Sequence, residues 1–216
     1  MYKNNKRPKT STTSIKNFFE NAGNTISISN ERGQLLNTIA ENIAKEYQKD
    51  GTVNLNFICT HNSRRSQFGQ VWAFFAAEYF NLNIHAFSGG TEVTAFFKNT
   101  VKTLASEGFH FELIDFSHQN PKYSISFEGT DKTILGFSKL FDDAQNLNPF
   151  IAITTCNNAD ENCPFIPTAT HRFHLPFVDP KFSDDTEAAH ETYEKTSQQI
   201  AGELFYIFTK VSDRLV

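Results

Sequence analysis

The chain has 216 residues and a formal net charge of −4, and 20% of its residues are charged and 14% aromatic. This length is typical of one domain with additions, and the composition excludes a disordered chain. The negative charge argues against a general nucleic-acid-binding protein. No apolar run approaches the roughly 18 residues of a membrane span, and the polar start MYKNNKRPKTSTTS lacks a signal-peptide core, so we expect a cytoplasmic protein with no membrane partner.

The predicted elements, taken in chain order, indicate an α/β fold. Helices are expected at residues 14–22 and 30–49, the second capped by Asn30 and ended by Gly51. A strand at 52–58, a helix at 66–80, a strand at 84–87, a helix at 93–107 and a strand at 109–116 follow. Residues 123–127 and 133–137 are predicted to form a hairpin, 149–155 an apolar strand, 157–168 a loop and 184–211 the last helix. Because strands alternate with helices, we expect a three-layer α/β sandwich around a central parallel sheet.

The first motif with chemical content follows the strand at 52–58. Cys59 ends this strand, and Arg65 and Ser66 open the next helix. The loop between them is Thr60, His61, Asn62, Ser63 and Arg64. Such a loop can turn its backbone N–H groups inward at the positive end of a helix, which binds an anion and favours a thiolate. Arg65 can hold two oxygens of a tetrahedral oxyanion and Ser66 can offer its hydroxyl to the sulfur, so the pattern predicts attack by sulfur on a bound oxyanion. The alternative is a small buried cysteine that happens to precede arginines at a helix start.

This motif resembles the low-molecular-weight protein tyrosine phosphatase superfamily. C-x5-R-S after an apolar strand is the phosphatase pattern, and the longer string Cys-Thr-x-Asn-Ser-x-Arg-Ser-Gln resembles the thioredoxin-coupled arsenate reductases. Those reductases usually carry glycine where His61 stands and cysteine where Arg64 stands. The resemblance covers roughly residues 52–116 and 149–210. It implies a catalytic domain over 51–216. The hairpin region, an insertion at about 120–148, and residues 1–50, predicted as an N-terminal helical extension, lie outside the resemblance.

Two further cysteines, Cys156 and Cys163, follow the apolar strand at 149–155. The seven residue steps between them span about 24 Å when extended and about 10 Å as a helix, whereas a disulfide needs Cα atoms within about 7 Å. They can therefore pair only if the Asn- and Asp-rich segment folds back. The string C-x6-C-P resembles the redox pair of the arsenate reductases. Two inert thiols, or a zinc site with His171 and His174, are the alternatives, although the spacing matches no common zinc motif.

The dipeptide Asp179-Pro180 precedes the last predicted helix. On its own, Asp-Pro is an ordinary turn starter. In the phosphatase fold, an Asp-Pro in this position supplies the general acid that protonates the leaving oxygen, and the proline stiffens the loop. Lys181-Phe182-Ser183 follow here, where the phosphatases often carry tyrosines that grip phosphotyrosine.

The resemblance implies that this chain reduces arsenate to arsenite. Cys59 would attack arsenic, Asp179 would protonate the departing hydroxide, Cys156 would attack the Cys59 sulfur, and Cys163 would close a disulfide for thioredoxin to reduce. No cofactor is required. The reductases bind a potassium ion near the loop, to which Asn62 is available here, but Gln70 stands where an acidic helper is expected.

Two other functions remain open at this stage. A phosphatase acting on phosphotyrosine or another phosphomonoester would need Cys59, Arg65 and Asp179 but neither of the other cysteines. A non-catalytic module that binds an oxyanion or a partner would need no reactive cysteine. Replacing Cys156 with serine separates the reductase from the phosphatase, and replacing Cys59 separates both from the binding module.

Overall fold

The protein is described by a computed structural model over residues 12–162 and 165–216. In chain order the elements are α1 (Thr12–Thr25), α2 (Asn30–Asp50), β1 (Val53–Cys59), α3 (Arg65–Tyr79), β2 (Ile84–Gly90), α4 (Lys98–Glu107), β3 (Phe109–Asp115), β4 (Lys122–Phe127), β5 (Ile134–Gly136), β6 (Phe150–Thr154), α5 (Asn157–Asn162), β7 (Ala169–His174) and α6 (Ala189–Leu215), with a 3₁₀ helix at Pro180–Ser183. In this part of the chain, no helix has the length and apolar character needed to cross a membrane.

The central sheet has four parallel strands in the order β2-β1-β6-β7. β6 is buried along its whole length, as its apolar sequence predicts. The expected α/β fold with a central parallel sheet flanked by helices is therefore confirmed. The predicted hairpin is also present as β4 and β5, and β3 pairs with β4 to give a separate antiparallel sheet.

One large hydrophobic core joins the N-terminal helices to the sheet. Phe19 of α1 and Ile39 of α2 are fully buried with Trp72 of α3 and Phe57 of β1. Burying side chains of this size stabilises a fold by about 1.5–3 kcal/mol each. α1 and α2 therefore belong to the same core as the strand that carries Cys59. A smaller cluster, which includes Ile58 and Cys156, lies on the opposite face of the sheet.

The starts of α2, α4 and α6 differ from the predictions, and each difference has its own structural reason. The N-cap of α2 is Ser29, whose hydroxyl accepts a hydrogen bond from Arg32 N at 3.2 Å, and not Asn30. α4 begins at Lys98 rather than at residue 93. The preceding segment is held by distant groups instead, since Thr94 N donates to Ser138 Oγ at 2.8 Å. The prediction of a last helix from residue 184 is likewise wrong at its start, because Asp185 has a left-handed backbone (φ 62°) and α6 begins at Ala189.

The segment after Cys156 was predicted to be a loop, but its first six residues form α5. Asp160 holds this short helix, because its carboxylate accepts hydrogen bonds from Thr154 Oγ1 at 2.7 Å and from Arg172 Nη2 at 2.5 Å. Arg172 belongs to β7, a strand that the sequence analysis missed. Its sequence ATHRFH has no apolar run, as fits a strand at the edge of the sheet.

Candidate active site

The loop between β1 and α3 is folded with its carbonyl groups directed at the surrounding protein. The carbonyls of residues 60–63 accept hydrogen bonds as follows: Thr60 O from Glu92 N at 2.8 Å, His61 O from Ser138 Oγ at 2.9 Å, Asn62 O from Gln67 Nε2 at 3.0 Å, and Ser63 O from Phe97 N at 3.1 Å. The backbone N–H groups of residues 60–64 donate no hydrogen bond to any described residue. Consecutive free N–H groups in a turned loop form a concavity that binds anions. The left-handed backbone of Asn62 (φ 46°) makes the turn.

Cys59 lies at the end of β1, next to this loop. Its sulfur is 3.1 Å from Ser66 Oγ, which accepts a hydrogen bond from Asn62 Nδ2 at 2.9 Å. The hydroxyl hydrogen of Ser66 is therefore free to point at the sulfur. Asn62 is held in this orientation by Lys139 N, which donates to Asn62 Oδ1 at 2.9 Å. The arrangement gives the sulfur one hydroxyl donor and the amino end of α3 as neighbours.

Arg65 joins the loop to the segment before α6. Its Nη1 donates to Phe177 O at 3.1 Å, and its Nη2 donates to Asp179 Oδ2 at 2.5 Å. Its Nε is buried and has no partner among the described residues. A buried donor without a partner costs about 1–3 kcal/mol. An oxyanion held in the loop would satisfy this donor, so the geometry suits Arg65 to bind one.

Asp179 lies beside the loop and stays open to solvent. Its Oδ1 accepts a hydrogen bond from Lys181 N at 3.0 Å, which caps the 3₁₀ helix, and its side chain is 39% exposed. Val178 and Phe182, next to it in the chain, expose most of their apolar surface. A carboxyl that is fixed beside an anion-binding loop can transfer a proton to an atom bound there.

The side chains of His61 and Arg64 do not point into the loop. His61 Nε2 lies 3.3 Å from Glu92 Oε2, on the protein surface. Arg64 donates a hydrogen bond to the carboxylate of Asp184. These two residues can therefore reach a bound anion with their backbone N–H groups but not with their side chains.

Arg64 belongs to a buried cluster that the sequence analysis did not find. Its Nε donates to Tyr193 Oη at 2.6 Å, Tyr193 Oη donates to Asp184 Oδ1 at 2.6 Å, and its guanidinium carbon lies 3.9 Å from the ring centre of Phe97. Burial raises the pKa of Tyr193, as does its hydrogen bond to Asp184, so the phenol stays a donor. The cluster connects the loop after Cys59 to the segment that carries Asp179. No motif marks Asp184 or Tyr193, because their importance depends on a contact across more than 100 residues.

Cys156 also lies next to the loop. Its sulfur is 3.5 Å from Thr60 Oγ1 and accepts a hydrogen bond from Ala159 N at 3.4 Å, and the side chain is buried. Asn158 Nδ2 donates to Thr60 Oγ1 at 3.1 Å, which holds the start of α5 against the loop. Cys163 lies outside the described residues.

The histidines proposed as zinc ligands turn to other partners. His171 Nε2 lies 3.2 Å from Glu46 Oε1, and His174 Nδ1 lies 3.0 Å from Thr154 Oγ1. Over residues 12–162 and 165–216, no group of three or more His, Cys, Asp or Glu side chains is arranged to hold a metal ion.

The residues near the loop do not fit a potassium ion. The side-chain oxygen of Asn62 accepts the bond from Lys139 N, and that of Gln70 accepts a hydrogen bond from Ser88 Oγ at 2.6 Å. Both amides are neutral, and the Gln70 oxygen is already bonded within the protein. A potassium ion at this place would have to share both side-chain oxygens with donors that already bond them.

The sequence is similar to those of bacterial arsenate reductases. No family model matches the chain. The arsenate reductase of Bacillus subtilis (strain 168) is 29% identical over 131 residues, which are 61% of this chain and 76% of the relative. That of Brevibacillus brevis is 31% identical over 124 residues, which are 57% of this chain and 74% of the relative. Among solved structures, a low-molecular-weight phosphotyrosine phosphatase from Vibrio cholerae O395 is 12% identical with a TM-score of 0.45, over 73% of this chain and 94% of that chain.

Proposed function

Because the chain belongs to the arsenate reductase family of the low-molecular-weight protein tyrosine phosphatase superfamily, we propose that it reduces arsenate to arsenite with three cysteines acting in succession. In this proposal Cys59 is the nucleophile and Asp179 the general acid. Arg65 and the backbone N–H groups of residues 60–64 bind the oxyanion. Cys156 and Cys163 supply the two electrons.

The position of the Cys156 thiol is the observation that supports a reductase best. β1 and β6 are neighbouring parallel strands with Ile58 opposite Thr154. Adjacent strands lie about 4.8 Å apart, so Cys59 and Cys156 leave the sheet side by side. A phosphatase needs no second thiol here, because water completes its reaction. A reductase needs one within reach of the sulfur–arsenic bond.

In the first step, the thiolate of Cys59 attacks the arsenic of arsenate and a sulfur–arsenic bond forms. The departing hydroxide takes a proton from Asp179 and leaves as water. The free Nε of Arg65 and the loop N–H groups hold the remaining oxygens and offset their negative charge. Arsenic is still pentavalent at this stage.

The second step transfers the electrons. The deprotonated sulfur of Cys156 attacks Cys59 Sγ, a disulfide forms, and the electron pair of the sulfur–arsenic bond goes to arsenic, which leaves as arsenite. Cys163 then attacks Cys156 and releases Cys59 as a thiolate. Two thiols are thus oxidised to one disulfide for each pentavalent arsenic that becomes trivalent.

The final disulfide requires α5 to unwind. This helix separates Cys156 from Cys163, and its rise of about 10 Å exceeds the roughly 7 Å that a disulfide allows between Cα atoms. We propose that unwinding carries the disulfide to the surface, where thioredoxin, the reductant that the family resemblance implies, can reach it. A cycle of this kind needs a reducing compartment such as the cytoplasm.

Mass spectrometry after a single arsenate turnover tests the proposal directly. The wild-type protein should lose two hydrogens, and the loss should map to the peptides that hold Cys156 and Cys163. Cys163→Ser should complete one turnover and then stop with a disulfide between Cys59 and Cys156. A protein that releases arsenite while all three cysteines remain reduced would refute the cascade.

Cys156→Ser distinguishes the reductase from the phosphatase. We expect this variant to lose arsenate turnover while it still hydrolyses an aryl phosphate, because that hydrolysis uses only Cys59, Arg65 and Asp179. Cys59→Ser should abolish both reactions. If Cys156→Ser leaves arsenate turnover intact, the proposed electron transfer is wrong.

A further inference from the structure

A cavity of about 340 Å³ lies between α3, β2 and β5, and none of residues 59–66 lines it. Its walls include the apolar side chains of Phe74, Ile84, Ala86 and Leu135. Pockets that bind small molecules usually measure about 300–1,000 Å³, so this one is large enough for a small ligand. The cavity is therefore a candidate for a second site, separate from the Cys59 loop.

The cavity exists because two sheet edges approach each other without pairing. Within the described residues, β2 is the edge strand of the central sheet and β5 is the edge strand of the antiparallel sheet. Gln70 connects them at one end, since its Oε1 accepts from Ser88 Oγ at 2.6 Å and its Nε2 donates to Leu135 O at 3.1 Å. Away from Gln70, the space between the two edges stays open.

Lys139 is the charged side chain that makes this cavity unusual. It lines the cavity, and it is only 3% exposed. Its ammonium group forms no hydrogen bond or ion pair with any residue in the described parts of the chain, and it lies 4.8 Å from the ring centre of Phe137. Burial lowers the pKa of Lys139 to about 8, although Asp143 raises it. A buried cation with no anionic partner is costly, and a ligand that supplies one would remove that cost.

The other charges at the cavity indicate that the ligand carries one negative charge. Lys132 Nζ is paired with Glu78 Oε1 at 2.6 Å, so its charge is already balanced. Lys139 is thus the one buried, unbalanced cation in the described lining. One unbalanced cation matches a ligand with one negative charge, and the apolar side chains in the lining offer contacts to a hydrocarbon body.

We propose that this cavity binds a small monocarboxylate whose apolar body lies against Phe74 and Leu135 and whose carboxylate pairs with the ammonium of Lys139. Such a site is separate from the oxyanion loop in its residues and in the chemistry of its ligand. It does not depend on whether the chain reduces arsenate.

Two probes of the same shape test this proposal: 3-phenylpropionate and its neutral amide, 3-phenylpropanamide. Binding is measured by calorimetry at a pH below the value of about 8 that burial gives Lys139, with excess inorganic phosphate to occupy the Cys59 loop. The acid should bind about tenfold more tightly than the amide, as expected for one charge-assisted pair. Lys139→Met should remove this preference. Lys45→Met, the same substitution at an exposed lysine that does not line the cavity, should keep it.

Methyl NMR of the wild-type protein gives a second measurement that does not depend on the folding of a variant. The acid should shift the methyl resonances of Ala86 and Leu135, and leave those of Val211 in the buried face of α6 unchanged. Equal affinities of acid and amide, a preference that survives Lys139→Met, displacement of the acid by phosphate, or unshifted Ala86 and Leu135 methyls would each overturn the proposal.

Discussion

Removing the guanidinium of Arg64 tests whether the loop after Cys59 holds the segment that carries Asp179. In Arg64→Met, the hydrogen bonds to Asp184 and Tyr193 are lost while an aliphatic stem remains. The Arg64 and Asp184 side chains are only 11% and 15% exposed. The Asp184 carboxylate would therefore stay largely buried, with the Tyr193 hydroxyl as its one strong donor. Breaking a buried pair by removing one partner costs about 3–5 kcal/mol. The residual exposure puts the expected loss of unfolding free energy at the lower end, about 3 kcal/mol.

Urea unfolding of a double-mutant cycle measures this contact. Arg64→Met and Asp184→Asn should each destabilise the protein, and the double variant should lose less than the sum, with a coupling of up to about 3 kcal/mol. Lys181→Met, a matched change at an exposed cation of the same segment, should change stability by about 0.5 kcal/mol or less. Strictly additive losses in the cycle would refute the contact.

Aryl phosphate hydrolysis then reports how the contact affects chemistry. If Arg64 positions the general acid, Arg64→Met should slow hydrolysis of phenyl phosphate, a poor leaving group, more than that of p-nitrophenyl phosphate, a good one. An equal loss on both substrates would contradict this role and indicate that Arg64 acts on the nucleophile loop instead.

Three further substitutions address other parts of the molecule. Burial raises the pKa of Glu107 well above 4.5, although the hydrogen bond from Ser197 opposes this, so stability that is present below pH 4.5 is lost as the pH rises through the folded-state pKa. Glu107→Gln should reduce this loss of unfolding free energy, measured by urea unfolding at several pH values, by about 1.4 kcal/mol for each unit of the pKa shift. An unchanged dependence of stability on pH would contradict this prediction. Asp179→Asn should slow phenyl phosphate hydrolysis by about 10²–10⁴-fold, and wild-type rates in steady-state kinetics would exclude it as the acid. Asp160→Ala removes the carboxylate that accepts hydrogen bonds from Arg172 and Thr154, while the bond from Arg172 to the Asp160 backbone oxygen remains. The change should speed both amide hydrogen exchange in α5 and closure of the Cys156–Cys163 disulfide, by up to about tenfold. Slower closure would show that α5 does not oppose it.

Elements that depend on neighbouring residues could be predicted from the sequence. The apolar run before Cys59 predicts β1, and Gly51 ends α2 with a left-handed backbone as expected. The turn residues between β4 and β5 likewise predict the hairpin. In each case the local pattern and the final fold favour the same conformation.

The errors come from contacts between residues that are distant in sequence. No residue between 93 and 97 is a helix breaker, so the sequence allows a helix there. In the structure, however, Phe97 N donates to Ser63 O at 3.1 Å and not to a carbonyl one helical turn earlier. β2 extends through Gly89 and Gly90, beyond its predicted end at residue 87, because the strand end packs against the loop after Cys59. A Cβ on Gly90 would lie 2.8 Å from Asn62 N. Such contacts exist only once the sheet has formed, so periodicity and turn residues do not reveal them.

In the candidate site, too, the sequence reveals local patterns but not contacts between distant residues. C-x5-R-S marks Cys59 and Arg65 because their spacing is local, and the structure brings Arg65 to Asp179. The motif says nothing about which loop side chains face the anion. The Arg64 side chain points away from the loop because it bonds to Asp184 and Tyr193 on another segment, and no residue between 59 and 66 predicts these contacts.

Burial explains why a three-cysteine reaction would need a mobile α5. Cys156 is 3% exposed and lies against Thr60, next to the loop that follows Cys59, where a second protein cannot reach its sulfur. In the proposed cascade this burial would protect the sulfur–arsenic intermediate from external thiols, but it would also trap the enzyme after one turnover. A helix of six residues, which Asp160 and Asn158 hold by a few side-chain hydrogen bonds, could unwind and so remove this conflict. A longer helix with its own apolar face would be more stable and would keep the oxidised cysteine out of reach of its reductant.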